Sequence, residues 1–462
     1  MHRLLFSDRA QSPMRRSAIL SSAIVFLIAL TVRVAAVRWW ISPAAAIPTK
    51  DAAHYDLMAR YLLAHGELVW PDLVDGVPRY TGPTVKRAPL YPAFLAGVYW
   101  LTDYSRIAVQ IAQCVLGAFS CVAFAQAAAL LAGQPVLRVV IGGLFALYPP
   151  FLVGEDYYGS PALLQPESLL FAFLGASMWA FAAFERTRHR IAVVMAGVSS
   201  ALATLTKPVV MLAPLILVVW WWTRRDRSWK ERAMTIGLLC TVYALTIAPW
   251  TWRNIRLTGH VIPVSLQFGY TFWSGNYDGT RGGMIGNVSH IPGYRSEEFQ
   301  GLSEVEVDRR MARKAWAYLR AHPDHVVPLA IKKLAVQWSP LESSGRYQFW
   351  YAFILMLAVV GVWWCREPDH TSLRAVCLGW LGYSCWLAVL IAGDPRYRFQ
   401  YEPFLLTLAG LAVASLARTS SWRRLVSVLG VCVALNVLCN YAAQPLLTIG
   451  QRVSQQLAAN AN

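Results

Sequence analysis

Apolar runs separated by short polar stretches extend along nearly the whole chain. The first run covers residues 17–37 and the last covers 425–441, and several runs between them approach the length of a bilayer-crossing helix. Such a helix needs about 20 apolar residues, and the alternating pattern of a membrane barrel is not seen. The pattern predicts an all-α polytopic membrane protein with about eleven transmembrane helices, within a range of roughly nine to thirteen.

Clusters of Arg and Lys between the apolar runs predict which loops face the cytoplasm. Three clusters lie at residues 185–190, 223–232 and 418–424. The first apolar run follows basic residues, so a cleaved signal peptide is one interpretation. Its length and the flanking Arg33 and Arg38 favour a retained signal-anchor helix, which places the N-terminus inside. Residues 38–87 then form a long first outer loop, which faces the periplasm or the cell exterior.

The same topology divides the chain into three regions. They are a membrane module at residues 1–252, a small extracytoplasmic region of helices at 253–346, and C-terminal transmembrane helices at 347–462. In the outer region, Ser303 and Glu306 match a capping box at the start of a helix. In the membrane module, four apolar segments between residues 88 and 184 must supply three crossings if the charge rule holds.

Composition supports a membrane environment and changes the meaning of the net charge. The chain is 56% hydrophobic and 15% charged, whereas an ordinary soluble domain is roughly 25% charged. A net charge of +17 would suggest nucleic acid in a soluble protein. Because much of the excess lies between apolar runs, we expect membrane lipids as partners and no nucleic acid. The eight Cys residues contain no CxxC pair, so neither disulfides nor a cysteine metal site is predicted.

Candidate chemistry begins where the first outer loop opens. Asp51, His54 and Tyr55 are spaced so that one helix would present all three side chains to a common ligand. Asp51 is the candidate catalytic residue, although capping of that helix would by itself account for an Asp at this position. Asp56 follows in the same segment, and the sequence leaves open whether it shares the role.

Basic residues close the same loop and recur in the last outer turn. Lys86 and Arg87 stand before an apolar segment that contains Tyr91, and Arg can hold phosphate oxygens in a fork. Arg396 and Arg398 precede another apolar run. These residues are candidate binding groups for a lipid phosphate. Anchoring at the membrane interface is the alternative explanation for all four cations.

Further charges lie at the outer ends of apolar segments in the membrane module. Glu155 and Asp156 occupy a predicted outer turn, and the sequence leaves open whether Glu155 or Asp56 shares the catalytic role of Asp51. Glu167 heads an apolar run, and Lys207 interrupts another. A charge at membrane depth is costly and marks function by default, so these four residues are candidate substrate-binding groups.

In this order of features the chain resembles the GT-C membrane glycosyltransferases that use polyprenyl-phosphate sugars. That group contains the protein O-mannosyltransferases and lipid A aminoarabinose transferase, of glycosyltransferase family 39 type. The resemblance is strongest over residues 17–222, and the turn at Arg396 also looks like bacterial members. It rests on the order of these residues: Asp51, Tyr55 and Ala59 in DxxxYxxxA, Lys86 with Arg87 and Pro89, Glu167, and Thr206 with Lys207.

The resemblance implies an inverting glycosyltransferase in the bacterial cytoplasmic membrane. It would move a sugar from an undecaprenyl- or decaprenyl-phosphate donor to a hydroxyl or phosphate of a lipid, glycan or protein acceptor. Asp51 would be the general base, and Arg87 with Lys86 would offset the charge of the departing phosphate. This mechanism requires no cofactor or metal, although some relatives of the fold use a metal.

The resemblance also assigns secondary roles. Lys207, or Arg396 with Arg398, would be the second choice for binding the phosphate, and Glu167 would orient the sugar or the acceptor. Ala52 follows the first-loop aspartate, where many protein mannosyltransferases have Glu, and this departure weakens the case for a protein acceptor.

Two alternatives remain open at the level of sequence. A lipid-linked glycan flippase or transporter would line a translocation path with the same charges, although the asymmetric loops count against it. An oligosaccharide polymerase or ligase with a diphosphate-linked donor would share the architecture and differ in the donor.

Overall fold

The computed structural model describes most of the chain. The described residues are 2–40, 48, 50–74, 77–153, 160–280, 282–283, 288–292, 294–341, 346–365, 367–419 and 422–459. The predicted residues Glu155 and Asp156 therefore lie outside the described residues.

The N-terminal half begins with helix α1 (His2–Ala35), which continues into a π-helical turn at Ala36–Trp40. The first outer loop contains α2 (Lys50–His65) and the strands β1 (Val69–Val74) and β2 (Val77–Pro83). The other helices of this half are α3 (Leu90–Thr102), α4 (Arg106–Ala132), α5 (Leu137–Leu147), α6 (Pro150–Val153), α7 (Glu167–Thr187), α8 (Arg190–Thr206), α9 (Pro214–Thr223) and α10 (Trp229–Thr258).

The outer region and the C-terminal part are also helical. Their helices are α11 (Phe268–Ser274), α12 (Glu304–Ala321), α13 (Val326–Trp338), α14 (Phe349–Trp364), α15 (Thr371–Leu390), α16 (Pro395–Phe399), α17 (Glu402–Thr419) and α18 (Trp422–Ala459). The capping box predicted at α12 is confirmed, because Ser303 Oγ accepts from the Glu306 backbone N–H and the Glu306 carboxylate accepts from that of Ser303.

Six helices are long and apolar enough to cross a membrane, as judged on the described residues, and they fit a membrane protein. These segments are Arg16–Trp39, Arg106–Ala132, Glu167–Thr187, Trp229–Thr258, Pro368–Leu390 and Arg423–Tyr441. Five shorter apolar helices of 10–17 residues accompany them. A helix of that length spans less than a bilayer core of about 30 Å. The total of about eleven crossings therefore stays a prediction.

The membrane helices pack around α4, which lies against α1, α5 and α7. Small side chains allow the close approach: a Cβ at Gly175 of α7 would lie 3.0 Å from the Cβ of Ala123 on α4. Such contacts are typical of helix association in membranes.

A hairpin in the first outer loop departs from the all-α prediction. Strands β1 and β2 pair antiparallel, with Val69 opposite Pro83 and Val74 opposite Val77. The strands are short and interrupted by prolines, which weakens the alternating pattern by which strands are recognised in a sequence.

The three basic clusters lie together at one end of the bundle. Helix α7 runs from Glu167 to the cluster at residues 185–190, and α8 returns to Lys207. Three contacts connect the loops at that end: Glu185 with Arg227 at 2.7 Å, Gln134 with His370 at 2.5 Å, and Glu367 with Arg418 at 3.0 Å. Glu167 and Lys207 therefore lie at the opposite end from the basic loops.

Candidate active site

Asp51 lies in the first turn of α2, between two arginines from distant parts of the chain. Arg87 Nη2 donates to Oδ1 at 3.0 Å, and Arg396 Nη2 donates to Oδ2 at 2.5 Å. The side chains of Asp51, Arg87 and Arg396 are 23%, 17% and 25% exposed, respectively. The group is thus shielded by protein and still reachable by a ligand.

The two guanidinium groups control the ionisation of Asp51. Burial raises the pKa of this carboxyl, but the charges of Arg87 and Arg396, with the hydrogen bond from Arg396, outweigh burial and lower the pKa to about 2. Asp51 is therefore ionised at every physiological pH. The same interactions make it a weak proton acceptor in this state.

A second ion pair joins the start of α7 to the end of α8. Lys207 Nζ donates to Glu167 Oε1 at 2.7 Å, and the Glu167 side chain is only 2% exposed. Pro208 disfavours helix at the preceding residue, so Lys207 adopts an extended conformation and turns its side chain toward α7. Glu167 Oε2 is buried and has no hydrogen-bond partner among the described residues. This oxygen can accept a hydrogen bond from a hydroxyl group of a substrate.

Two buried tyrosines connect the pairs. Tyr55 lies within electrostatic range of Asp51, Arg87, Arg396 and Glu167, and burial raises the pKa of its phenol. The rings of Tyr55 and Tyr91 meet edge to face at 5.0 Å, and Tyr91 donates to Gln113 at 2.7 Å. The predicted residues 51, 55, 87, 91, 167, 207 and 396 therefore converge in one region.

Trp70 on β1 also belongs to this region, although no sequence motif points to it. Its indole stacks on the His54 ring at 4.4 Å and lies 5.0 Å from the Arg87 guanidinium. Lys86 Nζ is 5.9 Å from the same ring and 3.9 Å from Glu304. The hairpin thus orients His54 and Arg87, whereas Lys86 points toward the outer region.

The outer region fixes the segment that carries Arg87. Glu304 accepts from Thr84 Oγ1 at 2.7 Å and from the Val85 backbone N–H at 2.8 Å, and Leu266 N–H donates to the Val85 carbonyl at 2.8 Å. Arg87 Nη1 also donates a long hydrogen bond, of 3.5 Å, to Gln267 Oε1. Residues 253–346 therefore contribute to the wall of the site.

A close backbone approach positions Arg396. The Gly393 N–H donates to the Gly282 carbonyl at 2.9 Å, and a Cβ at Gly393 would lie 1.9 Å from the Lys333 carbonyl oxygen, so only Gly fits. Asp394 then caps α16 by accepting from the Arg396 N–H at 2.7 Å. This turn points the Arg396 side chain at α2.

Arg398 does not join Asp51. Its guanidinium is 1% exposed and donates to Glu402 at 3.2 Å and to the Ser339 carbonyl at 2.9 Å. Tyr148 donates to the other oxygen of Glu402 at 2.9 Å. These bonds tie α16 to α17, to α5 and to the segment after α13, so Arg398 has a structural position.

Asp56 is also held away from the pair of arginines at Asp51. It accepts from Arg60 at 3.1 Å, from Arg106 at 2.9 Å and from Tyr99. These contacts anchor α2 on α3 and α4. They do not include a residue of the candidate active site.

We therefore expect Asp56→Asn to reduce stability with little direct effect on chemistry. Asp56 is itself only 5% exposed, and an amide there would lose the charge-assisted hydrogen bonds from Tyr99, Arg60 and Arg106. Because both arginines are partly exposed, the free energy of unfolding should fall by about 1–2 kcal/mol. Thermal denaturation of the detergent-purified variant measures this loss. Unchanged stability with abolished activity would instead place Asp56 in the chemistry.

Three cations, Arg87, Arg396 and Lys207, face the carboxylates of Asp51 and Glu167. Asp394 also acts electrostatically on Arg396. The two guanidinium groups are suited to bind an anionic ligand. Among the described residues, no group of three or more His, Cys, Asp or Glu side chains converges as a metal site would require.

No protein-family model and no curated protein matches the chain. The fold is similar to the oligosaccharyltransferase of the archaeon Archaeoglobus fulgidus in its apo form, with a TM-score of 0.54 and 12% identity. That match covers 94% of this chain and 56% of the other. The protein has the GT-C fold.

Two further structures of the archaeal enzyme match this GT-C chain. One, in complex with an inhibitory peptide and a dolichol-phosphate, has a TM-score of 0.53 and 13% identity over 92% of this chain and 56% of that chain. The other, tethered to an acceptor peptide with an NVT sequon, has a TM-score of 0.51 and 13% identity over 93% and 55%. The GT-C chain thus spans little more than half the length of these neighbours.

Proposed function

We propose that this GT-C protein is an inverting glycosyltransferase that uses a polyprenyl-phosphate sugar. The observation that carries the proposal is the Asp51 carboxylate held between Arg87 and Arg396. A base next to two guanidinium groups suits a reaction in which a hydroxyl loses a proton while a phosphate departs. The resemblance of the Asp51, Arg87, Glu167 and Lys207 motifs to polyprenyl-phosphate enzymes supports the same reaction.

The proposed step balances as a single displacement. The acceptor O–H gives its proton to Asp51, and the acceptor oxygen bonds to the anomeric carbon from the face opposite the phosphate. The bond from that carbon to the phosphate oxygen breaks, and its electron pair stays on the oxygen. Arg87 and Arg396 offset the charge that develops there, so no general acid is needed. Glu167 Oε2 is available to accept a hydrogen bond from a hydroxyl group of the sugar or of the acceptor substrate.

Arg87 and Arg396 suit a phosphate-linked donor, because a guanidinium can hold phosphate oxygens in a fork. The choice of a monophosphate over a diphosphate donor rests on the resemblance of the Asp51, Arg87, Glu167 and Lys207 motifs to polyprenyl-phosphate enzymes. After transfer, the polyprenyl phosphate gains charge, and the two guanidinium groups of Arg87 and Arg396 are suited to bind it.

The basic loops support a site on the non-cytoplasmic side. Lys and Arg mark the cytoplasmic ends of membrane helices, and the clusters at residues 185–190, 223–232 and 418–424 lie at the end opposite Glu167 and Lys207. We place the protein in a bacterial cytoplasmic membrane, with the site facing the periplasm or exterior. The neighbours that bind dolichol-phosphate and an acceptor peptide support a lipid-linked donor in general terms.

The test is a transfer assay with purified protein in lipid. Radiolabelled sugars linked to polyprenyl monophosphate and to polyprenyl diphosphate are supplied with lipid, glycan and peptide acceptors. Transfer from the monophosphate donor, with inverted configuration at the anomeric carbon, is the expected result. Transfer from the diphosphate donor alone would establish a polymerase or ligase, and movement of the intact donor across the bilayer without cleavage would establish a transporter.

Arg87→Ala is expected to weaken donor binding. Arg87 supplies a charge-assisted hydrogen bond to the proposed phosphate, and such bonds contribute about 1.5–3 kcal/mol, or roughly 10- to 150-fold in affinity. The Michaelis constant for the donor measures the change. Arg79→Ala, on the exposed face of the hairpin, is the control and should leave that constant unaltered. Equal values for Arg87→Ala and wild type would remove Arg87 from the phosphate site.

A further inference from the structure

We infer that the donor phosphate activates Asp51 by taking over the two arginines that now bind it. This inference rests on the proposed function and adds an order to it, because the base becomes effective only after the donor has bound. Asp51 occupies both guanidinium groups and is thereby an internal substitute for the phosphate.

The contacts of Asp51 make the two anions competitors. Each carboxylate oxygen is bound by a different guanidinium, from Arg87 at Oδ1 and from Arg396 at Oδ2. Guanidinium groups bind phosphate oxygens in the same paired geometry as carboxylate oxygens, so a phosphate can accept from the same N–H donors. Both guanidinium groups are partly exposed and can turn toward an incoming ligand.

The exchange is needed because the resting arrangement suppresses the base. A general base works best when its pKa lies near the operating pH, whereas Arg87 and Arg396 hold the pKa of Asp51 at about 2. If phosphate neutralises the guanidinium groups, burial, which acts in the opposite direction, becomes the dominant influence. The proton affinity of Asp51 then rises in the complex that contains the donor.

Among the described residues, Arg87 and Arg396 are the cations that bind Asp51 directly, and protonated His54 has a weaker electrostatic influence on the same carboxylate. Lys207 is already paired with Glu167 at 2.7 Å. The other titratable groups that sense Asp51 are His54 on the same helix, Tyr55 beside it, and Tyr270 on α11. Glu167 would repel rather than neutralise a carboxylate. The donor phosphate therefore decides whether Asp51 is bound or free.

The first experiment measures the affinity for geranylgeranyl phosphate, a short-chain analogue of the departing group that is supplied within the nanodisc lipid. Asp51→Asn removes the competing anion and should bind this probe on the order of tenfold more tightly than wild type. Asp72→Asn makes the same charge change on the exposed face of the hairpin and should bind as wild type does. Arg87→Ala should bind more weakly than either.

The outcomes separate the two proposals. If Arg87→Ala weakens binding but Asp51→Asn binds no more tightly than wild type, the phosphate site stands and the exchange is wrong. If Asp51→Asn and Asp72→Asn tighten binding equally, general charge accounts for the effect and the exchange is again wrong. If no form of the protein binds the monophosphate, the proposed function itself fails.

A second measurement uses the unaltered protein and does not depend on the folding of a variant. With donor saturating, the rate of transfer should fall on the acid side at or above about pH 4, where an ordinary Asp titrates. The pKa raised by the exchange causes this shift from the resting value of about 2. A rate that stays constant down to about pH 3 would overturn the exchange.

Discussion

Asp51→Asn is expected to lower the rate of sugar transfer by about 10²–10⁴-fold, the usual contribution of a positioned general base. Asparagine has nearly the same shape and keeps an oxygen that can accept from Arg87 or Arg396, but it cannot take the acceptor proton. The initial rate with radiolabelled donor, both substrates being saturating, measures the loss. The melting temperature of the variant should stay close to that of wild type, because the pair is partly solvent-exposed.

Asp51→Glu is a useful companion variant because it keeps the carboxylate and moves it by about one bond length. Partial activity in this variant would assign the loss in Asp51→Asn to proton transfer. Wild-type turnover by Asp51→Asn would remove Asp51 as the base and leave Glu167, with its unpartnered oxygen, as the remaining described carboxylate of the site.

Several candidate residues named from the sequence converge in the structure because they mark the ends of elements. Asp51 opens the first outer loop, and Arg87 closes it. Glu167 and Lys207 interrupt apolar runs where a charge is costly. The contact between Arg396 and Asp51 could not be predicted from the sequence. Arg396 lies 345 residues from Asp51, and its position depends on a close backbone contact at Gly393.

Other residues of the site give no signal in the sequence. Trp70 reaches His54 and Arg87 only because the hairpin folds back over α2. Gln267 and Glu304 stand at the starts of α11 and α12 in the outer region, and they contact residues 84–87 of the first outer loop. The topology predicted from the sequence assigns these two regions to separate units. Periodicity reports the buried face of an element and is silent about contacts between loops.

The boundaries and lengths of several helices became known only from the structure. Helix α7 begins at Glu167, the residue that heads an apolar run in the sequence. Helices α3 and α5 have 13 and 11 residues, which is shorter than the roughly 17–25 residues of a bilayer-crossing helix. From the sequence, Arg396 and Arg398 are assigned one shared role in binding phosphate. Side chains two positions apart on a helix point in directions about 200° apart, which explains why the two arginines have different partners.

Arg398→Met is expected to lower the free energy of unfolding by about 3–5 kcal/mol, because it leaves the Glu402 carboxylate buried without its cation. Both side chains are essentially inaccessible, at 1% and 0% exposure. Chemical or thermal denaturation in detergent measures the loss. Arg396→Met, which breaks a partly exposed pair, should lose donor binding while keeping most of its stability.

The double variant Arg398→Met with Glu402→Met separates charge from packing. Replacing both members of a buried pair by apolar groups is often close to neutral, so the double variant should recover most of the stability lost in Arg398→Met. It should also recover transfer activity, because Arg398 supports the fold and does not contact Asp51. If stability returns while activity stays absent, Arg398 has a role in the reaction, and the two arginines of this turn would act on the same substrate.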